Sequence, residues 1–337
     1  MRLLRYVLRR LLLLVPVLVG SLFIAFLLTR IVPGDPIQRV AGPYASDEEV
    51  QRLREEANLD EPFYVQFVLY LGDLLQGDLG YSFFTGQPVK SDLSVRFPAT
   101  FELIFYGMLV AILLAVPLGI TSAVMRGRPV DHFSRVFAVL GVSVPVFWIG
   151  LVLLTIFYRK LEWLPGPTGR LPIGMDEPEK ITGLYTIDAV LRGQWHTAWE
   201  ATRALVLPVV TIGVTAMAPI ARMTRSTMID ALDSDYVRTA RSLGIPKRVI
   251  VLHHALKNAI LPVLTLIAAV FGFLIGGEVL VEIIFSWNGL GLYSYNAILN
   301  SDFPAIQGFI LLVTAIYIFI YLAVDVITAL IDPRVEF

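Results

Sequence analysis

Residues 309–331 read FILLVTAIYIFIYLAVDVITALI, an apolar run in which Asp325 is the single charged side chain. About 20 apolar residues in a helix span the hydrocarbon core of a bilayer, so this run predicts a membrane-spanning helix. Five comparable runs precede it, at residues 11–32, 101–125, 136–157, 204–221 and 259–281. The sequence therefore predicts an all-α polytopic membrane protein with six spans. The fourth is the weakest, because Pro208 and Pro219 interrupt it.

The composition of the 337-residue chain agrees with a membrane protein. Hydrophobic residues make up 56% of the sequence and charged residues only 16%, with a mean hydropathy of +0.71. A soluble globular chain has about 25% charged residues, so this chain lacks the polar residues to cover a soluble surface. It has no cysteine, which excludes disulfide and thiol chemistry. Four histidines without a cysteine argue against a structural zinc site.

The first apolar run follows basic residues, as the core of a signal peptide does. Its length exceeds the about 7–15 residues of such a core, and no Ala-x-Ala-like cleavage site follows. The run instead ends in the turn-forming residues 31–36, IVPGDP. We therefore expect a retained membrane helix.

The distribution of lysine and arginine predicts the orientation of the chain. One alternate set of segments, residues 1–10, 126–135, 222–258 and 332–337, carries fifteen cations against six acids. The other loops are longer and net acidic. Because loops rich in lysine and arginine stay on the cytoplasmic side, the first set is predicted to be cytoplasmic, with both termini inside.

The predicted outer loops carry features of an interface. In the first, residues 33–100, Ser46 is followed by a capping-box pattern, and the apolar stretch 64–75 is too short to cross a bilayer. That stretch is expected to lie at the membrane interface. In the second, residues 158–203, Trp163, Trp195 and Trp199 suit an aromatic belt. The third, residues 282–306, is rich in turn residues around 285–291.

The predicted inner loop, residues 222–258, reads as a helix–turn–helix. Asp233 or Ser234 can cap a short helix that carries Tyr236, Val237, Ala240 and Leu243. Gly244 stands where a helix commonly ends with a residue of positive φ. Pro246 fits the first turn of the next helix, which runs into the fifth span at Ala259. The result is a small apolar ridge with basic flanks.

This loop also carries a resemblance to a known family. Residues 235–244, DYVRTARSLG, resemble the "EAA" coupling loop of ABC importer permeases, in the form typical of dipeptide, oligopeptide and nickel permeases. Residues 254–262, HALKNAILP, continue the match. Further segments agree over nearly the whole chain: residues 12–36, 76–82, 285–291 and 330–334.

The resemblance implies a permease subunit in a bacterial inner membrane, without chemistry of its own, that imports peptides by alternating access. Related permeases carry nickel complexes, glutathione or oligosaccharides, and no substrate-contacting residue can be assigned. The expected partners are a second, similar permease subunit, two cytoplasmic ATPase subunits or domains, an extracytoplasmic solute-binding protein and the lipid bilayer. No cofactor is expected on this chain, because ATP and magnesium would belong to the ATPase partners.

The coupling loop is expected to dock into a groove on the ATPase. Its predicted site residues are Asp235, Tyr236, Arg238, Thr239, Ala240, Arg241, Gly244 and Pro246. Ala240 and Gly244 would allow close approach, and Arg238, Arg241 and Arg248 would offer charged hydrogen bonds.

Other functions have less support in the residues. Each of the five lysines follows a residue other than glycine, so the chain lacks the Gly-Lys pair of a P-loop. The His-Glu-x-x-His and Gly-x-Ser-x-Gly protease patterns are absent. A DNA-reading role is implausible for a loop tethered between two spans, so no nucleic-acid partner is expected.

Ion-coupled secondary transport is the main alternative, because such carriers use ionisable groups inside the membrane. Glu102, Glu278 and Asp325 are the candidates. Glu102 is expected to reach the interface from a helix end, and Asp325 to pair with a neighbouring helix. No inverted repeat with paired broken helices is evident in the sequence.

Overall fold

The computed structural model describes residues 2–31, 46–56 and 60–331, and these form an all-α protein. Within this part of the chain, extended pairing is limited to an isolated bridge between Tyr81 and Pro88. The side chains of residues 2–11, and that of Glu49 in the capping box, lie outside the description.

The helices are numbered in chain order. They are α1 Arg2–Ile31, α2 Asp47–Glu56, α3 Phe63–Leu75, α4 Val89–Val124, α5 Pro129–Ser143, α6 Val146–Leu153, α7 Tyr185–Leu191, α8 Trp195–Leu232, α9 Asp235–Ser242, α10 Lys247–Gly277, α11 Val279–Ile284, α12 Leu290–Leu299 and α13 Phe303–Ile331. Two of them contain wider π-helical turns, since α6 continues as Leu154–Lys160 and α10 contains Ile250–Ala255.

Five of the described helices, α1, α4, α8, α10 and α13, are long and apolar enough to cross a membrane. The bent pair α5 and α6 makes a sixth if the two form one span. This agrees with the predicted architecture, but the helices are longer than the apolar runs. For example, α4 begins at Val89 rather than at residue 101, and α8 extends to Leu232 through the first residues of the predicted inner loop.

The third predicted span, residues 136–157, is not a continuous helix. α5 and the helix that begins at Val146 meet at an angle of 101°. Val144 is extended, with φ −87° and ψ 126°, as expected for a residue before proline. Because Pro145 has no backbone N–H, it cannot continue the hydrogen-bond ladder of α5. The next helix begins only after Pro145. The hydropathy of residues 136–157 gives no sign of this break, because the run is apolar on both sides of it.

The two prolines of the fourth predicted span do not break its helix. α8 runs without a break through both Pro208 and Pro219. It packs against α5, α6, α7 and α10, and neighbouring helices make proline tolerable inside a membrane helix. Glycines permit close packing here: a Cβ added to Gly107 of α4 would lie 2.8 Å from a methyl group of Ile212, and one added to Gly119 would lie 2.6 Å from the Cβ of Thr224.

The described chain divides into two compact units, each of which has its own packing. In the unit formed from Met1–Phe97 and Gly289–Ile318, the rings of Phe63, Phe67 and Tyr70 on α3 pack against Phe26 of α1. The aromatic face of α3 is thus turned towards a membrane helix.

Asp302 organises the predicted outer segments of the same unit. It is almost fully buried, and its carboxylate accepts hydrogen bonds from Ser82 Oγ at 2.5 Å and from the N–H of Phe84 at 3.1 Å. Its other oxygen accepts from the N–H of Ala305 at 3.3 Å, in the first turn of α13. Asp302 therefore caps α13 and holds the segment 76–84 to it.

The second unit comprises Pro98–Asn288 and Phe319–Phe337. The predicted turn-rich loop 282–306 contributes part of its packing. Trp287 is fully buried and donates from Nε1 to the carbonyl of Ala99 at 2.9 Å. In contrast, Trp163, Trp195 and Trp199 are all more than half exposed, while their place in an aromatic belt stays a prediction.

Candidate functional site

The predicted helix–turn–helix is present between α8 and α10. Its first helix, α9, begins at Asp235 with Ser234 at the N-cap position. The Ser234 hydroxyl does not cap α9, since it donates backwards to the carbonyl of Ala231 at 2.5 Å. The chain passes from the end of α8 at Leu232 to α9 in two residues, so α9 is a direct continuation of a long membrane helix.

The turn after α9 has the predicted geometry. Gly244 has φ +74°, its N–H donates to the carbonyl of Arg241 at 3.1 Å, and the N–H of Ile245 donates to that of Ala240 at 3.2 Å. This pair of bonds defines a Schellman ending, which favours glycine at the residue of positive φ. Pro246 lies one residue before the start of α10, at its N-cap rather than inside its first turn.

The apolar residues of α9 divide between two faces. Val237 and Ala240 are buried in a cluster with Ile250 of α10, and Ile245 packs against it. Tyr236 is 42% exposed and Leu243 is 74% exposed. The residues of the predicted apolar ridge are therefore divided between a buried and an exposed face. Ala240 faces α10, where it cannot admit a partner, and the exposed apolar surface consists of Tyr236 and Leu243.

The charged residues of the loop also differ in their surroundings. Arg238 and Asp235 form an exposed ion pair of 3.3 Å, whereas Nη2 of Arg241 reaches the carbonyl of Leu232 at 3.4 Å. Thr239 is exposed, and its hydroxyl donates to the carbonyl of Asp235 at 3.1 Å. All three cations that were expected to offer hydrogen bonds, Arg238, Arg241 and Arg248, are exposed, and Arg241 also contacts a backbone carbonyl.

The buried cluster packs α9 against α10, which is long enough to cross a membrane. α10 runs from Lys247 to Gly277, so the contact with Ile250 lies in its first turn. A second apolar cluster, which includes Met228 of α8 and Val251 and Ala255 of α10, continues along the same helices. The apolar packing is thus continuous from α9 through the first turns of α10 to the end of α8.

A buried ion pair holds α5 against α8 near this loop. Asp131, with a side chain only 2% exposed, accepts hydrogen bonds from Arg225 at 2.5 and 3.1 Å. Ser122 Oγ and the N–H of Gly127 donate to the same carboxylate at 2.8 and 3.0 Å. All four hydrogen bonds to this carboxylate are charge-assisted, and such bonds are stronger than those between neutral groups. In the sequence these residues are recognisable only as loop charges, because their pairing joins segments that are far apart in the chain.

Glu102 does not reach towards an interface, which corrects the expectation for this residue. It lies inside α4, is 1% exposed and pairs with Arg170 at 2.5 Å. The backbone N–H and the hydroxyl of Thr186 donate to its Oε1 at 2.9 and 2.6 Å. The guanidinium of Arg170 also stacks 3.4 Å from the ring centre of Tyr185. Glu102 therefore anchors the long segment between α6 and α8.

Asp188 stabilises that same segment outside the spans. Burial penalises its charged form, but hydrogen bonds from the Thr182 hydroxyl and from the N–H groups of Ile181, Thr182 and Gly183 outweigh this. The pKa of Asp188 therefore lies below its usual value, and the carboxylate is charged at neutral pH.

The remaining intramembrane candidates lie in different environments. Glu278 is 7% exposed at the break between α10 and α11, and no hydrogen bond or ion pair joins its carboxyl to another described residue. Glu282 is fully buried and accepts from Thr100 Oγ1 at 2.6 Å. Asp325 lies half-buried on α13. In the described chain, no group of three His, Asp or Glu side chains is placed to hold a metal ion.

Comparison with known proteins gives consistent matches along the chain. Residues 115–337 match the family described as "Binding-protein-dependent transport system inner membrane component", and residues 3–104 match its N-terminal companion family. The chain is 43% identical over 322 residues to the probable D,D-dipeptide transport system permease protein DdpB of Escherichia coli K12, with 96% of this chain and 94% of the relative covered.

Two further relatives extend the comparison. The dipeptide transport system permease protein DppB of Alkalihalophilus pseudofirmus is 42% identical, with 99% of this chain and all of the relative covered. The glutathione transport system permease protein GsiC of Salmonella typhimurium is 36% identical, with 99% of both chains covered. With five or six described helical segments long and apolar enough to cross a membrane, and matches over nearly its whole length, the chain belongs to the family of binding-protein-dependent transport system inner membrane components, as a multi-pass permease subunit of ABC importers.

Proposed function

We propose that this permease subunit imports dipeptides or other short peptides, with energy from ATP hydrolysed by partner subunits. The names of the most similar relatives support peptides as the substrate class, since two of the three described above are dipeptide permeases. The glutathione relative also carries a short peptide. The chain itself brings no P-loop lysine, so nucleotide and magnesium belong to the ATPase partners.

The coupling role rests on the observation that α9 has one buried face and one exposed face. One face is fixed to α10 through Val237, Ala240 and Ile250. The other exposes Tyr236 and Leu243, with the exposed cations Arg238 and Arg248 nearby in the chain. An exposed apolar patch rimmed by polar residues is typical of a protein contact, and tyrosine is enriched among the residues that dominate such contacts. We infer that an ATPase subunit contacts Tyr236, Thr239 and Leu243, and that α9 passes its movement to α8 and α10.

The complete transporter contains, on this proposal, a second similar permease subunit and two ATPase subunits or domains. A solute-binding protein delivers the peptide on the opposite side of the membrane. Both termini of this chain and the α9 turn face the cytoplasm, as the excess of lysine and arginine in those segments indicates. The subunit then alternates between inward-open and outward-open states, whose populations the partners shift.

The coupling proposal is tested by introducing glutamate at two positions, one on the exposed face of α9 and one on its buried face. Leu243→Glu adds a charge to the exposed face, so we expect normal abundance but loss of ATPase co-purification and of labelled dipeptide uptake. Ala240→Glu buries a charge beside Val237 and Ile250, which costs about 2–4 kcal/mol of folding free energy. We expect it to lower abundance and the unfolding temperature. Wild-type uptake by Leu243→Glu at equal membrane abundance would refute the contact.

The substrate class and the division of labour need separate measurements. The assembled transporter in vesicles should take up a labelled dipeptide, and unlabelled dipeptide should compete better than nickel salts or oligosaccharides. The purified permease chain alone should hydrolyse no ATP. Competition by an oligosaccharide alone would exclude the peptide proposal while leaving the coupling role of α9 intact.

A further inference from the structure

A cavity of about 480 Å³ lies beside the helix–turn–helix, among the ends of α4 and α8 and the start of α10. Three cations line it, namely Arg126, Arg241 and Lys247, together with the acid Asp233. The rest of the described lining is apolar and consists of Ala123, Val124, Leu232, Ile245, Ile250 and Val251. The cavity thus combines an excess of positive charge with an apolar wall.

The apolar wall of the cavity adjoins the ends of two long apolar helices. α4 ends at Val124 and α8 at Leu232, and both helices are long and apolar enough to cross a bilayer. Ala123, Leu232 and Val251 also belong to the apolar cluster that extends along α8 and α10. The apolar wall is therefore continuous with the apolar packing along these helices, and Arg126 lies just beyond the last turn of α4, one residue after the predicted span 101–125.

Within the part of the chain that the structure describes, the positive charges of the cavity are only weakly neutralised. Arg126 pairs with Asp233 at 3.4 Å, but both side chains are about two-thirds exposed, so the pair is weak. Arg241 contacts a backbone carbonyl, that of Leu232, rather than a carboxylate. Lys247 forms no ion pair with any residue in the described part of the chain. A polyanionic or phosphate group would gain charge-assisted hydrogen bonds here.

The geometry points to a binding site for the phosphate of an anionic phospholipid headgroup. The three cations receive the phosphate, and the acyl chains follow the apolar wall towards α4 and α8. Basic pockets between membrane helices are suited to such headgroups. A free phosphate would leave the apolar wall unused. A protein partner has a better surface on the opposite face of α9, where Tyr236 and Leu243 are exposed.

Lipid titration of the purified full-length chain, followed by native mass spectrometry, tests the site. Dioleoyl phosphatidylglycerol should bind at least about tenfold more tightly than dioleoyl phosphatidylcholine, since each basic residue near a headgroup favours the anionic lipid. The variant R126Q/R241Q/K247Q should lose this preference. The matched variant R128Q/R238Q/R248Q removes the same charge from exposed positions of the same segments and should keep it.

The controls separate other occupants of the cavity. Lys247→Gln alone, at an exposed residue, should reduce the preference several-fold without lowering the unfolding temperature, which guards against a misfolded triple variant. Equal binding of both lipids, equal loss in the two triple variants, or displacement of the lipid by an equal concentration of inorganic phosphate would each overturn the proposal. A protein occupant would appear as loss of ATPase co-purification in R126Q/R241Q/K247Q with unchanged lipid preference, and would overturn it too.

Discussion

Arg225 of α8 donates from Nε to Oδ1 of Asp131 at 2.5 Å, although 94 residues separate the two in the sequence. The pair joins the first turn of α5 to the last third of α8, and Ser122 and Gly127 complete the shell of the carboxylate. Because the Asp131 side chain is 2% exposed, this is a buried ion pair that holds α5 against α8 and not a surface ion pair.

Arg225→Ala should therefore destabilise the chain strongly. It leaves the carboxylate of Asp131 buried without its cation, a change that typically costs about 3–5 kcal/mol. Arg238→Ala breaks the exposed pair with Asp235 and should cost less than about 1 kcal/mol. Unfolding of both variants in detergent measures the difference, and equal stability of the two would contradict the structural role of the buried pair.

Gly244→Val tests the turn after α9 without a steric clash. An added Cβ at Gly244 would meet no atom within 4 Å, so the cost arises from its φ of +74° and amounts to about 1–2 kcal/mol. We expect near-normal abundance with impaired ATPase association or uptake. Gly193→Val is the matched control, because Gly193 has φ +70° and equally open surroundings in the turn before α8. If both variants import peptide like the wild type, the turn has no coupling role.

Single cysteines test the predicted orientation in a chain that has none of its own. Ser46, which precedes α2, and Ser242, at the end of α9, are both exposed. Cysteines at these positions should react from opposite sides of intact cells, Ser46→Cys from outside and Ser242→Cys only after permeabilisation. Labelling of both from the same side would contradict the topology.

Asp325→Asn distinguishes an ATP-driven permease from an ion-coupled carrier. We expect the variant to retain ATP-dependent uptake that is insensitive to proton and sodium gradients, because Asp325 is predicted to act structurally. Uptake by the wild type is measured in parallel at constant ATP. Its collapse on addition of a protonophore would favour secondary transport instead.

Local sequence was sufficient for several elements of the candidate site. Gly244 ends α9 with a positive φ as predicted, because this helix ending depends on residues that are close in sequence. Ser234 and Pro246 occupy the N-cap positions of α9 and α10, although the Ser234 hydroxyl does not cap α9. The bend at Pro145 is also a local signal, since proline restricts its predecessor. It was missed because the hydropathy of residues 136–157 is continuous across it.

The sequence by itself determined the apolar membrane helices and the turn at Gly244, because a bilayer core requires about 20 mostly apolar residues in a helix and glycine tolerates positive φ at little cost. The tertiary structure alone decided which face of α9 is buried, since Val237 and Ala240 become inaccessible only when Ile250 packs on them. It likewise decided the role of Glu102, whose partner Arg170 lies 68 residues away. Hydrophobic periodicity describes one helix at a time, whereas burial and ion pairing depend on what packs against it.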